Sequence, residues 1–356
     1  MSNDAPIREA ADSPQWQSSL RLNEAFYRRA IARLVAPWPH AAALLGWGSD
    51  ILGYDTEQSS DHGWGPRLQV FVDDRDVAAV REAVDAGLPE SFQGWPVRYG
   101  WDAVPVQHHV QVTPLRQWLL DNLGLDPRDG LSPLDWLLVP QQRLLGVTRG
   151  AVYHDGIGAL SEARDLVAWY PRDVWLWLLA SQWDRVSQEE AFGGRAAQVG
   201  DDIGSRVVAA RQVRELMRLC LLLARRYSPY TKWLGSAFGE LPDPDGLGVV
   251  LRAALDEARY DDRERALARA YELVAGRHNA SGLTARADPA TRTYYGRPFA
   301  VLMAGRFVEA TMAAIADETL RALPPIGSVD QFIDSTPVLQ SPDLVARLRV
   351  LYERRA

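Results

Sequence analysis

The stretch GWGSDILGYDTEQSSDHGWGPRLQVFV, Gly46 to Val72, decides how the first third of this chain is read. Just upstream, AAALLGWG is an apolar run that breaks at glycine, as a short buried strand does before a turn. At its far end, RLQVFVDD sets Leu68, Val70 and Val72 in alternation with Gln69 and Phe71, the period of two of a strand. Between the strands lie the pair Gly48–Ser49 and, further on, Asp61 beside His62. Backbone N–H groups at a glycine turn can approach phosphate oxygens because no Cβ stands in the way, and Ser49 adds a hydroxyl donor. A carboxylate nearby can hold Mg2+, which often bridges one or two carboxylates to substrate phosphates. On spacing alone, the same residues also read as a glycine-rich loop with a capping aspartate.

Around this stretch the pattern is mixed. Residues 16–36 carry Leu20, Leu22, Phe26, Ala30, Ile31 and Leu34 at helical spacing, and PWPH ends that helix. A helix is expected over 75–87, strands in PVRYGW and VQHHVQV, and a helix in TPLRQWLLDNLG with Thr113 as N-cap, Pro114 at N1 and Gly124 past the end. Beyond about residue 130 the periodicity turns helical. Trp175, Leu179, Trp183 and Val186 share one stripe, and DDIGSRVVAARQVRELMRLCLLLARRY runs from acids to bases as the helix dipole favours. Further helices are expected over 246–257, 260–276, 298–320 and 341–353. The fold class is therefore α+β: a small mixed-sheet domain followed by a larger all-helical domain. Residues 1–15 read as a disordered N-terminus, 16–125 as the α/β domain and 126–356 as the helical domain.

Composition narrows the function. The 356 residues carry a formal net charge of −7, which argues against non-specific coating of nucleic acid but leaves room for a local basic site. Cys220 is the lone cysteine, so intrachain disulfides and cysteine zinc sites are excluded. The polar, acidic N-terminus is unlike a signal peptide, and no apolar run approaches the ~20 residues that span a bilayer, so a cytoplasmic protein without membrane partners is expected.

The segment GSDILGYDTEQSSDHGW resembles the signature of the polymerase-β-like nucleotidyltransferase superfamily. More widely, DHGWGPRLQVF, WYPRDVWLWLLASQWDRVSQEEAFGGR, YSPYTKWLGSAF, GRHNASGLT and GSVDQFIDSTPVL resemble an actinobacterial family known as a domain of unknown function, DUF4037, over roughly residues 38–345. The superfamily resemblance implies a nucleoside triphosphate partner gripped by Gly48 and Ser49, Mg2+ held by Asp61, and transfer of a nucleotidyl group to a hydroxyl acceptor of unknown identity. It also implies that Lys232, in SPYTKWLG, contacts the β- and γ-phosphates. The chain departs from the pattern twice. The second acid falls on Gly63, and VPVQHHVQV, where a third would fall, has none. Asp50, Asp55, Asp73, Asp74 and His62 are the remaining candidate ligands. The other reading is a catalytically degenerate nucleotide-binding or interaction protein on the same scaffold.

Other polar residues have plainer readings. Arg211, Arg214, Arg218 and Arg225 share a helix face and suit salt bridges to Glu189 or Glu190. Adjacent on a strand, His108 and His109 point to opposite faces. His278 and Asn279 read as a helix end and turn, His154 as a turn residue, and Asp173 as a favourable acid in a helix first turn.

Overall fold

The computed structural model describes residues 15–61, 63–102 and 104–353, without the Asp61 side chain. Apart from Gln15, the expected disordered N-terminus lies outside the described residues. The chain divides into two compact units, Met1–Arg128 with Gly146–Val167, and Asp129–Leu145 with Ala168–Ala356.

The first unit is built on a five-stranded mixed sheet. In chain order its strands are β1 (Ala41–Leu44), β2 (Arg67–Phe71), β3 (Arg98–Trp101), β4 (Val104–Thr113) and β5 (Ala151–Asp155). Their spatial order is β3-β4-β2-β1-β5. Only β2 and β4 run parallel, with Arg67 opposite His109 and Gln69 opposite Gln111. One face of the sheet presents Leu68, Val70, Val110 and Val112 to Phe26, Ile31 and Val35 of the N-terminal helical segment and to Val80 and Val84 of the helix Val77–Gly87. The N-terminal segment is α-helical over Ser19–Phe26, makes a π turn at Tyr27–Ile31 and resumes at Ala32–Val35.

The structure shifts or overturns several sequence expectations in this unit. The helix after β4 spans Leu115–Leu123 with Pro114 as N-cap, one residue later than expected, because Thr113 is held in register opposite Phe71. Strand β5 falls within the stretch read as helical, and His154 belongs to it rather than to a turn, opposite Ala42 and with its ring 4.5 Å from that of His40. Residues 146–167 thus return the chain to the sheet unit.

The second unit is helical, apart from one hairpin. At its centre is Arg172–Glu189, which is buried without a break from Val174 to Trp183. A helix apolar all round belongs in a core rather than at a surface. It packs against Asp202–Leu223, which in turn packs against Tyr260–Ala280. The polar groups in this core are paired. Gln182 Nε2 donates to Glu215 Oε2 at 2.6 Å, Arg185 Nε meets the same oxygen at 3.0 Å, and Gln331 Nε2 donates to Gln182 Oε1 at 2.9 Å. Arg211 pairs with Glu189 at 2.9 Å, whereas Arg225 lies over the Trp175 ring at 4.6 Å. Asp173 accepts the backbone N–H groups of Ala316 and Asp317, and so ties a loop to its helix. The helix expected over 298–320 is instead the strand Arg297–Val301 of a hairpin, then Gly305–Ala313 and Glu318–Ala322. Glu190 stops the pattern by accepting the Met303 and Ala304 N–H groups at 2.9 and 3.1 Å. The segment 341–353 is also broken, into Pro342–Ala346 and a 3-10 turn Arg347–Leu351.

His278 is a core residue of this unit. Trp183 Nε1 donates to its Nδ1 at 3.0 Å, so the ring proton sits on Nε2, which faces Thr284 Oγ1 at 3.0 Å. Burial pushes its pKa down from 6.5 to about 4. Between those values the unfolded chain binds a proton that the folded chain refuses. Stability therefore falls as pH drops from about 6.5 to about 4, and for this group is flat on either side. The full effect is roughly 3 kcal/mol. His278→Asn keeps an acceptor for Trp183 and removes the titration. Urea midpoints at the two ends of this window should fall more for the wild type than for the variant, and parallel profiles would contradict the assignment.

Candidate functional site

The turn after β1 is held by the segment that leads into β5. Gly46 N donates to Gly146 O at 2.8 Å, and Gly150 N donates to Ile51 O at 2.9 Å. A Cβ on Gly150 would lie 2.0 Å from Leu44 O, so only glycine permits this approach of the two backbones. Gly48, at φ +134°, leads into the single helical turn Ser49–Leu52.

Beneath the turn lies a buried polar frame. Asp50 Oδ2 accepts from Ser19 Oγ at 2.9 Å and from Arg67 Nη2 at 2.6 Å. Asp55 Oδ2 accepts from Ser19 N at 2.7 Å and Trp64 Nε1 at 3.1 Å. Asn23 Oδ1 accepts from Arg67 N at 2.6 Å. The N-terminal helix, the turn and the start of β2 are thereby fastened at one point. A Cβ on Gly48 would lie 2.2 Å from Asp50 Oδ1, so this glycine also makes room for the buried carboxylate. Burial alone would lower the Arg67 pKa, but the Asp50 carboxylate more than offsets it, and the guanidinium stays charged.

Arg67 also reaches the sheet face opposite the helices. That face carries Gln69 on β2, His109 and Gln111 on β4, and Tyr99 and Trp101 on β3. A cleft of about 490 Å3 is lined by Arg67, Gln69, Trp101, Gln107, His109 and Gln111 of this face, and also by residues of the helix side, among them Arg81, Asp85 and His108. His109 Nε2 faces Tyr99 O at 2.9 Å, and its ring centroid is 4.4 Å from Tyr99 and 4.8 Å from Trp101. Burial, with the Arg67 charge nearby, lowers its pKa. The neutral ring therefore carries its proton on Nε2 and offers Nδ1 as an acceptor. His108 points to the other face, as the strand requires, and pairs with Asp85 at 2.6 Å. The cleft thus offers amides, aromatic surface, the guanidinium groups of Arg67 and Arg81 and the carboxylate of Asp85.

Of the residues expected to form a site, Gly48 and Ser49 lie in the pinned turn. The Asp61 backbone closes the 3-10 turn Glu57–Asp61, ahead of β2 rather than on it, while its side chain and all of His62 lie outside the described residues. Gly63 is in the following loop at φ +64°. Asp50 and Asp55 are turned inward and paired, Asp73 accepts from Arg75 N at 3.2 Å, and Asp74 is exposed. Among the described residues, no three His, Cys, Asp or Glu side chains are grouped to hold a metal ion. Lys232 is carried by the helical unit, exposed in the first turn of Thr231–Gly239, with Nζ 4.9 Å from the Trp233 ring centroid. Sequence reasoning missed Arg67, Gln69, Trp101, Gln107 and Gln111. Their signal was polar residues at every second position of adjoining strands, in RLQ and QHHVQ.

Residues 136–234 match the model of a family described as a domain of unknown function, DUF4037. The chain is also similar to a solved structure, a nucleotidyltransferase-like protein from Exiguobacterium sibiricum 255-15. The identity is 13%, the TM-score 0.32, and the likeness covers 78% of this chain and 82% of that one. No curated protein matches. No helix among the described residues is long and apolar enough to cross a membrane.

The frame beneath the turn makes a direct stability claim. Asp50 and Arg67 side chains are only 8% and 17% exposed, so removing either partner strands a buried charge. Asp50→Ala should cost about 3–5 kcal/mol. Adding Arg67→Met should recover much of that loss, and denaturant midpoints of the two single variants and the double variant measure it. Additive losses would show that the two residues are not coupled.

Proposed function

We propose that this chain is a nucleotide-binding protein of nucleotidyltransferase type, which takes a nucleoside triphosphate with Mg2+. The observation that carries this reading is that a pinned Gly48–Ser49 turn and a cleft of about 490 Å3 share one charged residue, Arg67. Backbone N–H groups and the Ser49 hydroxyl at the turn suit phosphate oxygens. Arg67 is paired with Asp50, so its part is to hold the turn beside the cleft rather than to add net positive charge. Trp101 and the neutral His109 offer ring surface for a base, and Gln107 and Gln111 offer amide donors and acceptors for its edge. Asp61 is the proposed Mg2+ ligand. The bound ion would neutralise phosphate charge and polarise the phosphoryl oxygens.

Transfer of the nucleotidyl group to a hydroxyl acceptor is the reaction that such a scaffold would serve. A specific observation favours a second reading, nucleotide binding without transfer. Two-metal transfer needs anionic ligands to hold the ions about 3.5–4 Å apart. On the sheet face, β2 and its parallel neighbour β4 instead present Arg67, Gln69, His109 and Gln111.

Binding is tested by thermal shift of the whole chain with nucleoside triphosphates, with and without Mg2+, because a ligand of the native state raises the midpoint. Asp61→Asn keeps the shape and removes the charge that a hard cation needs. Mg2+-dependent affinity should fall tenfold or more, about 1.4 kcal/mol, while the unliganded melting temperature barely changes. Undiminished Mg2+-dependent binding by Asp61→Asn would make Asp61 a loop residue. A radiolabelled product formed from an α-labelled triphosphate would decide for transfer over binding alone.

A further inference from the structure

The helical unit carries a second surface, separate from the proposed nucleotide site. It is the hairpin formed by Arg292–Tyr294 and Arg297–Val301. The base of the hairpin is firmly mounted. Glu272 Oε1 accepts from Thr291 N at 3.1 Å and Thr291 Oγ1 at 2.8 Å, and Glu264 Oε1 accepts from Ala300 N at 3.1 Å. Glu190 holds the chain just beyond, and Phe299 and Val301 are buried.

The tip contributes nothing comparable to the fold. Tyr294 pairs with Arg297, which leaves Tyr295 and Gly296 as the two turn residues, both at positive φ, +45° and +77°. A two-residue turn of that kind favours Asn-Gly, and a tyrosine there is sterically strained. The strain gains no burial, because Tyr295 is 78% exposed. Its ring centroid lies 4.9 Å from that of Tyr294, with the two planes 77° apart. A strained residue that serves no packing role points to a task outside the fold.

The charge of the segment says what kind of task. The chain has 46 acids in 356 residues, yet the twenty residues from Pro289 to Val308 contain none and carry Arg292, Arg297 and Arg306. Arg292 and Arg306 both lean on Asp288, whereas Arg297 has no carboxylate partner among the described residues. A rigid support therefore displays an exposed aromatic ring beside cations, in a chain that is acidic elsewhere. We infer that this hairpin is a preformed docking finger for single-stranded nucleic acid, with a base stacked on Tyr295 and flanking phosphates meeting Arg297 and Arg292. Stacking on an aromatic ring tolerates any base, and phosphate contacts supply the rest of the affinity. An acidic protein segment could also meet the arginines, but a nucleic acid supplies a base and a phosphate at every residue of the strand. The footprint is small, which is compatible with a net charge that argues against coating.

The test is fluorescence anisotropy of the whole chain at low salt with dye-labelled single strands of about ten nucleotides, in RNA and DNA arms. Tyr295→Asn suits the left-handed turn position, so it should keep or raise the melting temperature while it removes the ring. It should weaken binding about tenfold. Arg297→Gln should weaken binding and reduce the slope of log affinity against log salt by about one. Binding in either arm with these losses supports the finger, and the ratio of the arms reports whether the 2′-hydroxyl is read. Failure of the wild type to bind either strand overturns it, as does equal binding by both variants. Wild-type self-association in sedimentation that Tyr295→Asn abolishes would identify a second copy as the occupant instead, and would also overturn it.

Discussion

The ion pair between Asp50 and Arg67, at 2.6 Å and withdrawn from water, is the constraint on which the sheet unit is assembled. A buried pair contributes little net stability over a well-packed apolar pair, but it is demanding about geometry, since each charge is costly without the other. Here it also recruits Ser19 from the first helix, while Asn23 fixes the backbone of Arg67. The three elements meet at the Gly48–Ser49 turn. That turn cannot relax unless the pair breaks, and Gly48 is bare because the carboxylate occupies the space of its Cβ. A preformed turn loses little conformational freedom when a ligand arrives.

The return of the chain at residues 146–167 serves the same turn. Gly146 and Gly150 hold it by backbone hydrogen bonds, and β5 then extends the sheet beside β1. The helical unit is built on another principle. Its central helix is buried without a break from Val174 to Trp183, and its buried polar groups form a connected chain through Arg185, Glu215, Gln182 and Gln331. Satisfied networks of this kind fix how helices pack, because any other packing leaves polar groups unpaired.

Much of this architecture is legible in the sequence where periodicity is strong. The alternation in RLQVFV gives β2, and the apolar run broken by glycine gives β1 and its turn. Strand β5 escapes notice because Ala-Val-Tyr-His-Asp hardly alternates and sits between helices. The hairpin at 292–301 escapes because apolar residues from Phe299 to Phe307 also fit a helix, until Glu190 claims the N–H groups that a helix would use. In the candidate site, spacing and resemblance single out Gly48, Ser49 and Asp61. They do not single out Arg67, whose partner Asp50 is 17 residues away, or Ser19, 31 residues from Asp50. Pairings at such distances are set by tertiary packing and have no local signal. The histidines follow the same rule. His278 is at a helix end, as GRHNASG suggests, but nothing local shows that its ring lies in the core and accepts from Trp183.

The central claim is that a nucleotide and its metal meet at the turn beneath which Asp50 and Arg67 are paired. The most direct test is a crystal of the whole chain grown with a nucleoside triphosphate and Mn2+ in place of Mg2+, with the metal located by its anomalous signal. The account predicts a peak in the ligand sphere of the Asp61 carboxylate, with phosphates over Gly48 and Ser49 and the base toward Trp101 and His109. A triphosphate bound elsewhere, or a metal peak remote from Asp61, would contradict it.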